Sequence, residues 1–132
     1  MMPLARTGYA DTFARDNLPP AASWPALEFA TELLKYPERL NAAAELIDGP
    51  AAAYGPDRPA LRTPDGAVWT YGELRERANQ IARVLTEDLG LVTGNRVLLR
   101  GPNNPWTVAA WLGVIKAGGI VVTTMAALRA RE

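Results

Sequence analysis

Cysteine and histidine are both absent from the 132 residues. Their absence excludes, within this chain, a disulfide framework, a thiolate or imidazole zinc site, and a Cys–His or Ser–His nucleophile system. Acid–base chemistry is left to Asp, Glu, Lys and Tyr. Charge of one sign is not in excess either: 14 basic residues stand against 14 acidic ones, so no global field draws the chain to nucleic acid or to a membrane surface. Twelve of the basic residues are arginines, scattered instead of clustered, which again disfavours a nucleic-acid footprint. No apolar run approaches the roughly 20 residues of a membrane span, and Met1 to Arg15 contains no secretory apolar stretch. A cytoplasmic location, with no nucleic-acid and no membrane partner, is therefore expected.

What is present suits one modest α/β domain. Hydrophobic residues make up 48% of the chain, too many for general disorder. At this length about two thirds of the unfolded surface can be buried, enough for a single core. Residues 1–40 read as an arm. Pro19, Pro20 and Pro25 forbid a continuous helix, and Trp24, Leu27, Phe29, Leu33 and Leu34 supply apolar anchors, with a short helix expected from Pro25 to Lys35. Two readings fit such an arm: a strap lying along a larger body, or a partly disordered leader.

From Asn41 onward the pattern becomes regular. Asn41 is placed to cap a short helix to Asp48, with Ala43, Leu46 and Ile47 on one face; Gly49-Pro50 is expected to end or break it, and Ala51 to Pro59 reads as a loop or a frayed helical turn. Ala60-Leu61-Arg62 and Ala67-Val68-Trp69 flank Thr63-Pro64-Asp65-Gly66, a hairpin with turn chemistry at its tip. Thr70 and Glu73 have capping-box spacing for a helix running to about Glu87. Leu74, Ala78, Ile81, Ala82 and Leu85 make its apolar stripe. Gly90 and Gly94 bracket a turn before residues 96–100, a short apolar run with the look of a buried parallel strand. Asn104 caps the next helix, with Pro105 at its first position. Val108, Trp111, Leu112 and Ile115 form the expected inner face of that helix, and Gly118-Gly119 is its C-cap. Residues 120–124 form another β-branched strand. Strand, helix and strand in so short a span predict a right-handed βαβ unit with strands 96–100 and 120–124 parallel. Leu128 to Glu132 resemble the start of a further helix.

Few residues suggest chemistry. Gly101-Pro102-Asn103-Asn104-Pro105 joins a strand to a helix N-terminus, where backbone N–H groups can hold an anion. Yet Pro102 and Pro105 lack donors and only one glycine is present, so neither a dinucleotide fingerprint nor a P-loop is satisfied. The passage reads as a weak phosphate site or as a capped βα turn, and the missing donors favour the turn. Glu73, Glu76, Glu87 and Asp88 include carboxylates at helical spacing, better explained by capping and a solvated face. Lys116 ends its helix, where a cation suits the macrodipole. Trp106 and Trp111 are candidates to line an aromatic pocket, Trp111 having the better position for the core and Trp106 for partial exposure.

The run Trp69-Thr70-Tyr71-Gly72-Glu73-Leu74-Arg75 followed by Ala78-Asn79 resembles the hairpin-to-helix passage of the adenylate-forming (AMP-binding) superfamily of acyl- and aryl-CoA synthetases. Gly94-Asn95-Arg96-Val97, Pro102-Asn103-Asn104 and Lys116 to Val122 continue the resemblance in order and spacing. Asp11-Thr12-Phe13-Ala14-Arg15-Asp16-Asn17-Leu18-Pro19-Pro20 is similar to the leader of the benzoate and 2-aminobenzoate CoA ligases. The resemblance implies a two-step acid–CoA ligase. ATP and a carboxylate, aromatic if the leader is a guide, form an acyl-adenylate and pyrophosphate, and CoA then displaces AMP; Mg2+ is implied as counter-ion to the phosphates.

It also implies that residues 41–132 are an incomplete N-terminal α/β subdomain. The family's phosphate loop, aromatic-Thr-Glu motif, ribose-binding Asp and adenylation Lys have no counterpart here. No catalytic, cofactor-binding or metal-ligating residue is assigned, no cofactor is expected in this chain itself, and the chain alone is expected to be inactive. One departure stands out. The aryl branch usually has proline and a larger residue after the last strand, where this chain has Ala126-Ala127, and the exchange loosens the strand exit. Two other classes compete with the ligase reading: a non-catalytic interaction or complementing fragment, and a small stand-alone nucleotide-binding domain. Residues 120–124 as an uncovered strand would make the isolated chain a homo-oligomer, with that region or the N-terminal arm at the contact.

Overall fold

The computed structural model describes residues 7–26, 31, 32 and 36–129. Most of the helix expected at Pro25 to Lys35, with its anchors Leu27, Phe29, Leu33 and Leu34, lies outside those residues. The elements in chain order are α1 (Phe13–Asp16), a 3-10 turn (Ala21–Ser23), a π turn (Ala44–Asp48) leading into α2 (Gly49–Tyr54), β1 (Pro59–Arg62), β2 (Val68–Thr70), α3 (Tyr71–Arg83) continued by a second π turn (Val84–Asp88), β3 (Arg96–Gly101), α4 (Pro105–Lys116) and β4 (Ile120–Met125). The α/β class, the hairpin and the parallel pair all agree with the sequence.

Each boundary has a local cause. Asn41 Oδ1 accepts from the N–H groups of Ala43 and Ala44 at 3.1 and 3.3 Å, while its amide donates to the Ile115 carbonyl at 3.0 Å. One side chain thus caps its own helix and ties it to the end of α4. Gly49-Pro50 interrupts that helix without ending it: the π turn gives way to α2 at Gly49 and the chain stays helical to Tyr54, the helical-turn alternative for the stretch after Pro50. A proline ring inside a helix collides with the carbonyl four residues back, and the wide π turn before Pro50 makes room for it. Gly55, at φ 95°, supplies the actual stop. Thr70 and Glu73 form the full capping box, with Glu73 N–H to Thr70 Oγ1 at 3.2 Å and Thr70 N–H to Glu73 Oε2 at 2.8 Å.

The α4 C-terminus is a Schellman motif. Gly118 N–H bonds the Ile115 carbonyl at 2.9 Å and Gly119 N–H the Val114 carbonyl at 2.8 Å, with Gly118 at φ 79°.

Two two-stranded sheets result. β1 and β2 pair antiparallel, with Leu61 opposite Trp69 and an irregularity between Pro59 and Leu61. β3 and β4 pair parallel, from Arg96 opposite Ile120 to Gly101 opposite Met125. The core joins the first helical segment, α3 and α4 through Ala43, Ile47, Leu74, Ala78, Ala109 and Leu112, with Leu61, Trp69, Ile81 and Ile115 packed against it. Alanines at Ala43, Ala78 and Ala109, and the buried Gly113, let three helices approach closely.

Two expectations are corrected by the packing. The inner face of α4 runs through Ala109, Leu112, Gly113 and Val114, not through Val108 and Trp111, and Trp111 is 37% exposed. α4 is apolar round most of its circumference, so its period does not choose a face; the small residues do, by permitting contact with α3. Nor is β3 buried on both sides. Its exposure alternates, and Leu98 (64% exposed) with its register partner Val122 (42%) stands on an open face. Leu128 and Arg129 are not helical, and residues 130–132 lie outside the described residues.

Candidate functional site

In open parallel sheets, ligands sit beyond the carboxyl ends of the strands. There this chain has an open groove of about 500 Å³. Gly101, Pro102 and Asn103 form one wall after β3, and Thr124, Met125 and Ala126 form the other at the end of β4. The turn into α4 is tightly organised. Asn104 Oδ1 accepts from Thr107 N–H at 2.9 Å, and the Thr107 hydroxyl donates to the Pro102 carbonyl at 2.7 Å. The N-terminal donors of α4 are therefore partly spent within the turn, and Pro102 and Pro105 offer none. The residues present do not fit a phosphate cradle; the passage is a capped βα turn. Among the described residues there is no group of three or more His, Cys, Asp or Glu placed to hold a metal ion.

Of the residues singled out in the sequence, Gly101, Pro102 and Asn103 line this groove with Ala126 and Ala127 opposite, while the helix carboxylates, Lys116 and the tryptophans lie outside its lining. Trp106 and Trp111 face different neighbours. Trp106 meets Trp69 edge-on at 5.1 Å between ring centroids, with the Arg77 guanidinium 5.4 Å over its ring. Trp111 lines a different groove, beside Tyr9, Leu40, Asn41 and Ile115. The two tryptophans lie five positions apart on α4, and five residues turn a helix by far more than one full circle, so they leave its axis in different directions. Glu73 is engaged in its cap, and Glu76 accepts from Gln80 at 3.3 Å on the helix surface. Lys116 does more than complement a dipole: Nζ reaches Asp48 Oδ1 at 2.7 Å and Asn79 Oδ1 at 2.6 Å, linking α4 to the first π turn and to α3.

Two clusters escaped the sequence reading. Asp11 in the arm accepts from Phe13 N–H at 3.0 Å, from Asn95 Nδ2 at 2.8 Å and from the Arg96 guanidinium. Those contacts, the Phe13 N–H foremost, hold its carboxyl below the ordinary value of 3.8. Asp11 N–H also bonds the Thr93 carbonyl at 2.9 Å, and Arg96 stacks over Phe13 at 4.7 Å. Gly94, at φ 94°, packs against the Asp11 carbonyl so closely that no Cβ fits. The second cluster is Arg100, whose Nη2 donates to the Ala126 carbonyl at 2.9 Å and to that of Leu128. The Asp11 partners are 84 and 85 residues apart in sequence, so no local pattern announces them.

This hairpin, capped helix and βαβ order recur in known proteins. The profile of the AMP-binding enzyme family matches residues 50–132. The chain belongs to the AMP-binding enzyme family. Among relatives of this AMP-binding family chain, a long-chain-fatty-acid–CoA ligase of Salmonella typhimurium is 36% identical over 96 residues, covering 73% of this chain and 17% of that protein. Surfactin synthase subunit 2 of Bacillus subtilis is 48% identical over 67 residues, covering 50% of this chain and 2% of that protein.

Solved structures agree with the fold. Apo MatB from Rhodopseudomonas palustris superposes with a TM-score of 0.63 at 29% identity, over 70% of this chain and 18% of that one. The anthranilate CoA ligase AuaEII in complex with anthranoyl-AMP gives 0.59 at 26% identity, over 66% and 16%. The chain thus spans about a sixth of the length of the ligases it matches.

Proposed function

We propose that this AMP-binding family chain is the N-terminal segment of an acid–CoA ligase acting in the cytoplasm. In the first step a carboxylate oxygen attacks the α-phosphorus of ATP and pyrophosphate leaves. In the second the CoA thiol attacks the acyl carbon and AMP leaves, giving the thioester. The observation that carries this reading is the family match over residues 50–132, together with the likeness of the fold to MatB and to the anthranilate CoA ligase AuaEII. Residues 1–40 serve as an arm and residues 41–132 as part of the larger N-terminal domain. That division is supported by the docking of Asp11 on Asn95 and Arg96.

An aromatic acid is the proposed substrate. It is supported by the Asp11 to Pro20 leader, which is similar to that of the benzoate and 2-aminobenzoate ligases, and by the likeness to AuaEII, whose complex holds anthranoyl-AMP. ATP, Mg2+ and CoA are required by the reaction, and the residues that bind them are proposed to belong chiefly to the rest of the enzyme. The 132 residues are accordingly proposed to be inactive alone, and to self-associate when isolated, through the open Leu98–Val122 face.

The test is carboxylate-dependent exchange of pyrophosphate into ATP, and thioester formation, measured for the 132 residues alone and for the complete reading frame that contains them. Benzoate, 2-aminobenzoate and a long-chain fatty acid are the substrates to compare. Turnover by the full frame with an aromatic acid and none by the 132 residues is expected. Turnover by the short chain overturns its inactivity, and turnover by the full frame with the fatty acid alone overturns the aromatic assignment.

A further inference from the structure

The exit from β4 makes a turn without turn residues. Leu128 N–H donates to the Met125 carbonyl at 3.2 Å and closes a four-residue turn whose two central positions are Ala126 and Ala127. The first central position of such turns favours proline, whose ring pre-sets φ, and Asn, Asp or Ser elsewhere in a turn stabilise it through the side chain. Two alanines do neither, so the turn keeps all its unfolded-state freedom to lose.

The missing order comes from the neighbouring strand. Arg100 is paired in register with Thr124, two residues before the turn's first central residue. From there its guanidinium spans the turn, donating to the Ala126 carbonyl at 2.9 Å and to the Leu128 carbonyl. Those are the carbonyls of the first central residue and of the closing residue. A guanidinium is well suited to bridging them, because it stays charged, carries several donors in a fixed plane, and makes bonds roughly twice as strong as neutral ones.

We infer that Arg100 is a positioning residue. It fixes the Met125–Leu128 turn from outside, and with it the Met125 and Ala126 wall of the groove beyond the strands. That this wall belongs to a ligand site rests on the acid–CoA ligase reading above; that Arg100 orders the turn does not.

The experiment is amide exchange at Leu128, followed by NMR in the whole chain, for Arg100→Ala, Arg100→Lys, Ala126→Pro and the double variant Arg100→Ala/Ala126→Pro. Arg100→Ala should speed exchange at Leu128 about tenfold, the scale of one hydrogen bond to a charged group, and leave the melting temperature nearly unchanged. Arg100→Lys, which keeps the charge but ends one bond short of the position of Nη2, should behave like Arg100→Ala. Proline at 126 meets its steric needs, because Met125 before it is already extended as the last residue of β4. It should therefore restore Leu128 in the double variant to within about twofold of the parent.

Unchanged exchange in Arg100→Ala, or a double variant that exchanges as fast as Arg100→Ala, overturns the proposal. A melting temperature that falls in step with the faster exchange overturns it too, since Arg100 would then be supporting the whole fold. Should Arg100→Ala not fold, Arg100→Gln carries the same expectations. Exchange needs no turnover, so a failure here leaves the ligase reading intact, and an inactive full-length enzyme leaves the role of Arg100 intact.

Discussion

Gly113 sits buried in the middle of α4, where an alanine would ordinarily help. Replacing an interior helical glycine by alanine gains about 1 kcal/mol of helix propensity. Here the added Cβ would lie 2.8 Å from Ile81 Cγ2, 2.9 Å from Ile81 Cβ and 3.0 Å from the Ala78 carbonyl oxygen. Two of those three neighbours are set by the backbone of α3, and the third moves only with χ1 of a β-branched residue, which has one strongly preferred rotamer in a helix. Relief requires the two helices to part, and the core of Leu74, Ala78, Ala109 and Leu112 parts with them. Overpacking of this kind costs about 1–3 kcal/mol, and the immovable neighbours place it at the upper end.

Subtracting the propensity gain leaves Gly113→Ala destabilising by about 2 kcal/mol. For a chain of this size that lowers the melting temperature by roughly 6–10 °C. Urea and thermal unfolding followed by circular dichroism measure it directly. Ile81→Ala in the same background removes the nearest atom, so the double variant should be less destabilised than the sum of the singles by about 1 kcal/mol. A Gly113→Ala chain as stable as the parent, or more so, would mean that α3 and α4 do not meet closely enough to exclude a methyl group at this position.

Thr70→Ala removes the acceptor for Glu73 N–H at the start of α3 and should cost about 1 kcal/mol in urea unfolding, with Thr70→Ser nearly neutral. Lys116→Met strips Asp48 and Asn79 of a shared partner while keeping the packed stem; with Asp48 39% exposed and able to rehydrate, a loss of about 1–2 kcal/mol is expected, diminishing in high salt. The arm should respond to pH through Asp11. Its folded-state pKa is depressed, so docking is fully supported above the ordinary value of 3.8 and is lost as pH falls through the lower, folded value. NMR shifts of Tyr9 to Phe13 should therefore hold steady from pH 7 to 5 and move only in acid, and Asp11→Asn should show weakened docking at every pH.

Local chemistry was legible in the sequence. The Thr70–Glu73 box, the Pro64-Asp65-Gly66 turn, the Asn104-Pro105 start and the Gly118-Gly119 stop each act within a few residues, and each appears where its side chains demand. The parallel pairing of β3 and β4 followed as well, because a helical crossover leaves no alternative. The family was legible too, in the order of those same passages. Tertiary structure decided the rest. It chose Ala109 and Gly113 over Val108 and Trp111 as the contact face of α4, because close approach to α3 rewards small residues that periodicity cannot rank. It carried the helix through Gly49-Pro50 by widening one turn. It brought Asp11 to Arg96, Lys116 to Asp48 and Arg100 to the β4 exit, pairings of partners far apart in sequence whose meeting depends on where the packed helices leave each strand and turn.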